Sequence, residues 1–132
     1  MTGLILLLAA QAAAPASIQG MWRSPGGNSI ISIAPCGSSL CGTVAWASEQ
    51  AKKASAKTTS QLVGTQLLTN LQQGKGGRWQ GKLFIPDKNM RVTAKIQLLS
   101  DQQLKVSGCL AGKALCRADL WTRTTDPLPS SN

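Results

Sequence analysis

At 132 residues the chain has room for one domain and one modest hydrophobic core. Its 42% hydrophobic content, arranged in clear patterns, excludes disorder. Fourteen Lys and Arg against five acids give a net charge of +9, so the surface favours anions such as nucleic acid, lipopolysaccharide, anionic lipid or an acidic protein. The chain contains no His, which removes imidazole bases, His triads and most catalytic zinc sites.

Residues 1–16 read as an export signal. GLILLLAAQAAA is an uncharged apolar run of h-region length, too short to span a bilayer, and Ala14-Pro15-Ala16 supplies the small residues that a signal peptidase reads. The competing reading is a buried helix; the run's place at the chain's start and the Pro-containing stretch after it favour the signal, although Met1-Thr2 adds no Lys or Arg. The mature chain is expected from about Ser17, in the periplasm or secreted. No Cys near the cleavage point provides for a lipid anchor, and no later stretch is long and apolar enough to cross a membrane.

From there the chain reads as strands. GMWRS, SIISIAP and GTVAWAS come first, followed by ASEQAKKASAKTTSQ (47–61), a long Lys-rich connection with room for a short helix. LVGTQLLTNL fits either a strand or a helical face, through Leu62, Val63, Leu67, Leu68 and Leu71. RWQGKLFI, RVTAKIQL and QLKVSG alternate apolar and polar residues with the period of a half-buried antiparallel sheet, and ALCRADLWTR closes the series. SPGGN, CGSSLC, QQGKGG, PDKN, LSDQQ and AGKA supply turns between them. The expectation is an all-β fold, a single small antiparallel up-and-down barrel of about eight strands over residues 17–124, with a frayed tail at 125–132.

Cys36, Cys41, Cys109 and Cys116 form an even set, and in an oxidising compartment such sets are disulfides. Three pairings exist; 36–41 with 109–116 is favoured because each pair flanks a turn, one centred on Ser38-Ser39 and the other on Gly112-Lys113. Zinc is the competing use, disfavoured by the spacing and the lack of His. Alternation gives the facing. Leu104 and Val106 inward put Cys109 and Cys116 outward, and Ile31 and Ile33 inward put Cys36 and Cys41 outward. The same counting turns Leu115, Arg117, Asp119, Trp121 and Arg123 inward, and with them all four tryptophans, Trp22, Trp46, Trp79 and Trp121.

GMW on the first strand, LCGTVAW, LVGTQLL, RWQGKLFIP, GCLAGKALC and the closing LWTR together resemble a bacterial exported family labelled domain of unknown function 2147, over about residues 18–123. Gly20-x-Trp22 with an Arg on the last strand is also similar to the lipocalin and wider calycin signature. That resemblance implies a barrel base in which Trp22 sits beneath Arg123, a cation–π contact of about 0.5–2 kcal/mol. The chain departs from the family pattern at Lys82 and at Phe84-Ile85-Pro86-Asp87, where a second Gly and an aromatic-Asp-Pro turn are usual, so the rim loop after Ile85 is expected to differ. The family label carries no assigned activity.

The candidate site is the inward Arg117 and Asp119 with Trp46, Trp79 and Trp121. Two readings stand. The pair closes one end of the barrel structurally, since buried charges must be paired, or it orients a ligand in an apolar, Trp-lined cavity. A ligand would then be small, apolar or amphipathic, with an acidic head. Catalysis lacks a positioned acid or base: the five acids offer no close pair except Asp119 and Asp126, and Ser29, Ser32 and Ser38 have no base nearby in sequence. No metal site or cofactor is expected. Sequence-specific nucleic-acid binding is not expected either, because no outward aromatics interleave with the lysines. The expected role is a non-enzymatic binding protein. The alternative is a basic surface that binds anionic envelope components or an acidic protein partner, an inhibitor role included.

Overall fold

A computed structural model describes Gly3, residues 17–109 and residues 116–125. The export signal expected at 1–16, the turn expected at Gly112-Lys113, the facing of Leu115 and most of the expected tail lie outside the described residues. Eight strands form: β1 (Gly20–Arg23), β2 (Ser29–Cys36), β3 (Ser39–Ala47), β4 (Gln66–Gln73), β5 (Trp79–Ile85), β6 (Met90–Ser100), β7 (Gln103–Cys109) and β8 (Cys116–Arg123). Each pairs antiparallel with the next, and β8 returns to β1 through Trp22 opposite Arg123, closing the barrel. Closure is confined to the base end: β1 pairs with β8 only at Trp22–Arg123 and Arg23–Thr122, so, among the described residues, positions 116–121 of β8 have no β1 partner in the ladder.

The two-residue period is plain on β6 and β7. Val92, Ala94, Ile96, Leu104 and Val106 are buried, while Arg91, Lys95, Gln97 and Lys105 lie in water. The ambiguous LVGTQLLTNL resolves as strand from Gln66 onward. Its helix-like spacing has a cause. Thr69 stands opposite Lys82 and Gln72 opposite Gln80, so Asn70 and Leu71 together face Gly81 across a bulge, with Asn70 at φ 55°. The extra residue brings Leu68 and Leu71, three apart, onto the same buried side. Gly81 makes this fit: a Cβ there would lie 2.5 Å from the Thr69 carbonyl oxygen.

Up-and-down order divides the molecule into two ends. Connections β2–β3, β4–β5 and β6–β7 lie at the base with both chain ends of the barrel; β1–β2, β3–β4 and β5–β6 lie at the mouth, where β7 ends and β8 begins. The base is solid. Ile18, Trp22, Ile33, Leu40, Leu71, Ile96 and Leu104 fill it as one cluster, with Trp79 packed against them. Trp22 is 0% exposed and donates its indole N–H to the Ile18 carbonyl at 2.8 Å. The Arg123 guanidinium lies 4.3 Å from the Trp22 ring centroid. It also donates to the carbonyls of Asp101 (2.6 Å), Gln19 (2.9 Å) and Ser17 (2.5 Å), tying the end of β8 to the β6–β7 turn and to the segment before β1. Gly20, at φ 127°, leaves the space this guanidinium needs.

The long Lys-rich connection contains a helix, α1 (Glu49–Ser55), started by Ser48, whose hydroxyl accepts from the Ala51 N–H at 3.1 Å. Ala51 packs on a second small cluster of Val44, Ala47 and Leu62. Beyond α1, Thr58 and Thr59 donate to the Pro86 carbonyl, joining this connection to the β5–β6 turn across the mouth.

Both cysteine pairs are joined as expected, Cys36 to Cys41 and Cys109 to Cys116, with Cα separations of 5.8 and 4.1 Å. Cys109 lies directly opposite Cys116, on the outward register beside Gly108 and Arg117. The first hairpin differs by one position from its expectation. Cys36 pairs with Ser39 and Ala34 with Cys41, so the turn is Gly37-Ser38 and the two cysteines are diagonal neighbours on the outer face. Gly37, at φ 73°, takes the turn's first position, where left-handed backbone is required; a Ser-Ser centre would have put Ser there.

Candidate functional site

The mouth holds a cavity of about 820 Å³. Its floor and walls include Ile31, Leu67, Leu83, Met90, Val106 and Trp121, and its rim includes Ser24, Pro25, Pro86, Asp87 and Lys88. The elements explain the room. Leu83 and Val92 lean over Gly108, whose missing side chain leaves them 3.2 and 3.0 Å from where a Cβ would stand. Further up, half-buried Phe84, Ile85 and Met90, on either side of the β5–β6 turn, continue the lining of the cavity among the described residues.

Strand β8 contributes the polar groups. Arg117 opposes Gly108, Asp119 opposes Val106 and Trp121 opposes Leu104, so all three share the inward register and all three line the cavity. Depth separates them. Trp121 is buried in the floor, whereas the Arg117 and Asp119 side chains are 90% and 47% exposed. The Arg117 Nε stands 4.0 Å from Asp119 Oδ1. An ion pair so exposed contributes little to stability, about 0–1 kcal/mol at most. Of the two readings, the one in which the pair closes the barrel is corrected in its burial only: Arg117 and Asp119 do pair, and the register turns them inward, but at the mouth and exposed.

Two of the expected tryptophans lie elsewhere. Trp79 belongs to the base, opposite Ile96, and lines a separate groove with Lys75, Arg78, Lys95 and Lys105. Trp46 leaves the inward face altogether. Val44 opposes Ile31 and Trp46 opposes Ile30, so Ala45 is bulged and the face alternates one residue late. Trp46 then shares the face of Ile30, not of Ile31, and its buried indole Nε1 has no hydrogen-bond partner among the described residues. Its place on the inner side is taken by Ala47, packed with Val44 and Leu62.

Several wall residues were not singled out from sequence. Ile31 and Leu83 have the alternation of ordinary core, and nothing in that pattern separates a side chain buried against neighbours from one lining a space. The useful signal was the apolar group Phe84, Ile85 and Met90 around the polar PDKN turn, because apolar residues at a turn have no core to enter. The Cys109–Cys116 bridge stands at the same rim, with Cys116 lining the cavity.

These features define a class: a closed eight-stranded barrel of lipocalin-like build, packed solid at a Trp–Arg base and open at the other end. The chain belongs to the bacterial family described as "Uncharacterized protein conserved in bacteria (DUF2147)", which matches residues 20–123. No curated protein and no solved structure matches the chain.

Proposed function

We propose that the protein is an exported, non-enzymatic binding protein that holds a small amphipathic molecule in the mouth of the barrel. The apolar part of the ligand lies against Trp121, Ile31, Leu83 and Met90, and an acidic head group meets Arg117 at the rim. The carrying observation is the cavity of about 820 Å³, within the range of small-molecule sites, with mainly apolar walls and with Arg117 and Lys88 beside Asp119 and Asp87 among its lining residues. Burying the ligand's hydrocarbon contributes about 25 cal/mol per Å² of apolar surface, and the guanidinium sets its orientation. Two disulfides and the apolar run at the start of the chain support placement outside the cytoplasm, in the periplasm or secreted.

Native mass spectrometry of protein isolated from its own cell envelope tests this reading. A bound lipid or fatty acid is expected, lost or much reduced in Arg117→Leu. A ligand-free species, or a lipid retained equally by the variant, would contradict it.

A further inference from the structure

At the base, away from the mouth, a second concavity of about 380 Å³ is lined by the β4–β5 connection, by outward residues of β5, β6 and β7 and by the inward-register Trp79 and Ile96. Four cations line it: Lys75 and Arg78 from the β4–β5 connection, Lys95 on β6 and Lys105 on β7. No carboxylate is among its lining residues. The register shows how the strands assemble it. Gln80, Lys95 and Ser107 form one outward row across β5, β6 and β7, and Gln97 with Lys105 forms the next, so the two lysines are diagonal neighbours. Like charges this close repel. The described ion pairs, Lys52 with Glu49 and Arg117 with Asp119, involve none of these four cations. Half-buried Trp79 adds an apolar surface among the amides, the hydroxyl and the charges.

We propose that this groove binds an acidic saccharide, a sugar bearing phosphate or a comparable anionic group. The anion neutralises the cluster of Lys75, Arg78, Lys95 and Lys105; the sugar's hydroxyls meet Gln80, Gln97 and Ser107; its apolar ring face lies against Trp79. Each component of the groove has a counterpart in that ligand. A single-stranded nucleic acid fits less well, since it needs a succession of stacking platforms and the groove has one aromatic side chain. Attraction by exposed cations is screened by salt, so affinity falls as ionic strength rises. The site shares no lining residue with the cavity at the mouth, and either reading can fail without the other.

The test is a titration of the oxidised full-length mature protein followed by ¹⁵N–¹H NMR, using glucose 1-phosphate, glucose, inorganic phosphate and a short oligothymidylate. Glucose 1-phosphate is expected to shift the Trp79 indole N–H and the amides of Gly74, Gln80 and Ser107, and to bind more tightly than either glucose or phosphate alone. The double variant Lys95→Gln/Lys105→Gln, altered only at exposed positions, is expected to raise its Kd about tenfold with an otherwise unchanged spectrum. Absence of shifts at these positions, an unchanged Kd in the double variant, equal binding of inorganic phosphate, or tighter binding of the oligothymidylate would each overturn the proposal.

Discussion

Arg117 and Arg123 occupy the same face of the same strand, yet the barrel uses them in opposite ways. Arg123 lies over Trp22 and donates to three backbone carbonyls, so its charge is absorbed by the fold at the base. Arg117 stands at the mouth, its side chain in water and its nearest carboxylate at the limit of an ion pair. Residue type and facing are identical. What differs is depth along the strand, and with it the number of groups that converge on the guanidinium. The base is where the fold is held together; the mouth is where charged side chains stay exposed beside a cavity.

Substitutions at the two ends should therefore separate stability from binding. The largest loss is expected at the base. Trp22→Ala removes a fully buried indole and should lower unfolding free energy by about 3–5 kcal/mol, measured by urea denaturation. Next come the disulfides. Replacing either pair by Ser should cost about 2 kcal/mol, because both bridges close short loops. The comparison sharpens here: loss of the 36–41 bridge at the base should leave ligand affinity intact, while loss of 109–116 at the rim should weaken both. Gly20→Ala places a methyl group 2.7 Å from the Arg123 Nη1 on left-handed backbone, and a loss of about 1–3 kcal/mol is expected. Arg117→Leu should leave the thermal midpoint unchanged, since an exposed, weakly paired side chain adds little to stability. A large destabilisation by Arg117→Leu would erase the distinction between the ends.

Much of this architecture could be read from residue order. Alternation in RVTAKIQL and QLKVSG located β6 and β7 and their facing, and the even cysteine set flanking two turns identified both bridges. The likeness of Gly20-x-Trp22 and Arg123 to the calycin signature placed the base contact. Where alternation misled, backbone irregularity was the reason. The bulge at Ala45 reverses Trp46, and the bulge at Asn70 gives β4 a helical spacing. Neither bulge is marked by a Gly or Pro at its own position. The site was legible only in direction. Arg117, Asp119 and Trp121 share a face by counting, but their depths depend on how the strands stagger around the barrel, which no local pattern encodes. Trp79 shows the same effect at the other end, inward by parity yet far from the cavity.

The most direct measurement of the central claim is quenching of tryptophan fluorescence by a fatty acid brominated along its chain. Trp121 lines the cavity and Trp22 is sealed in the base. Saturable quenching of the native protein, abolished in Trp121→Phe while the Trp22 emission persists, is the expected result. Quenching that is absent, or that is unaffected by Trp121→Phe, would contradict a ligand held in the mouth of the barrel.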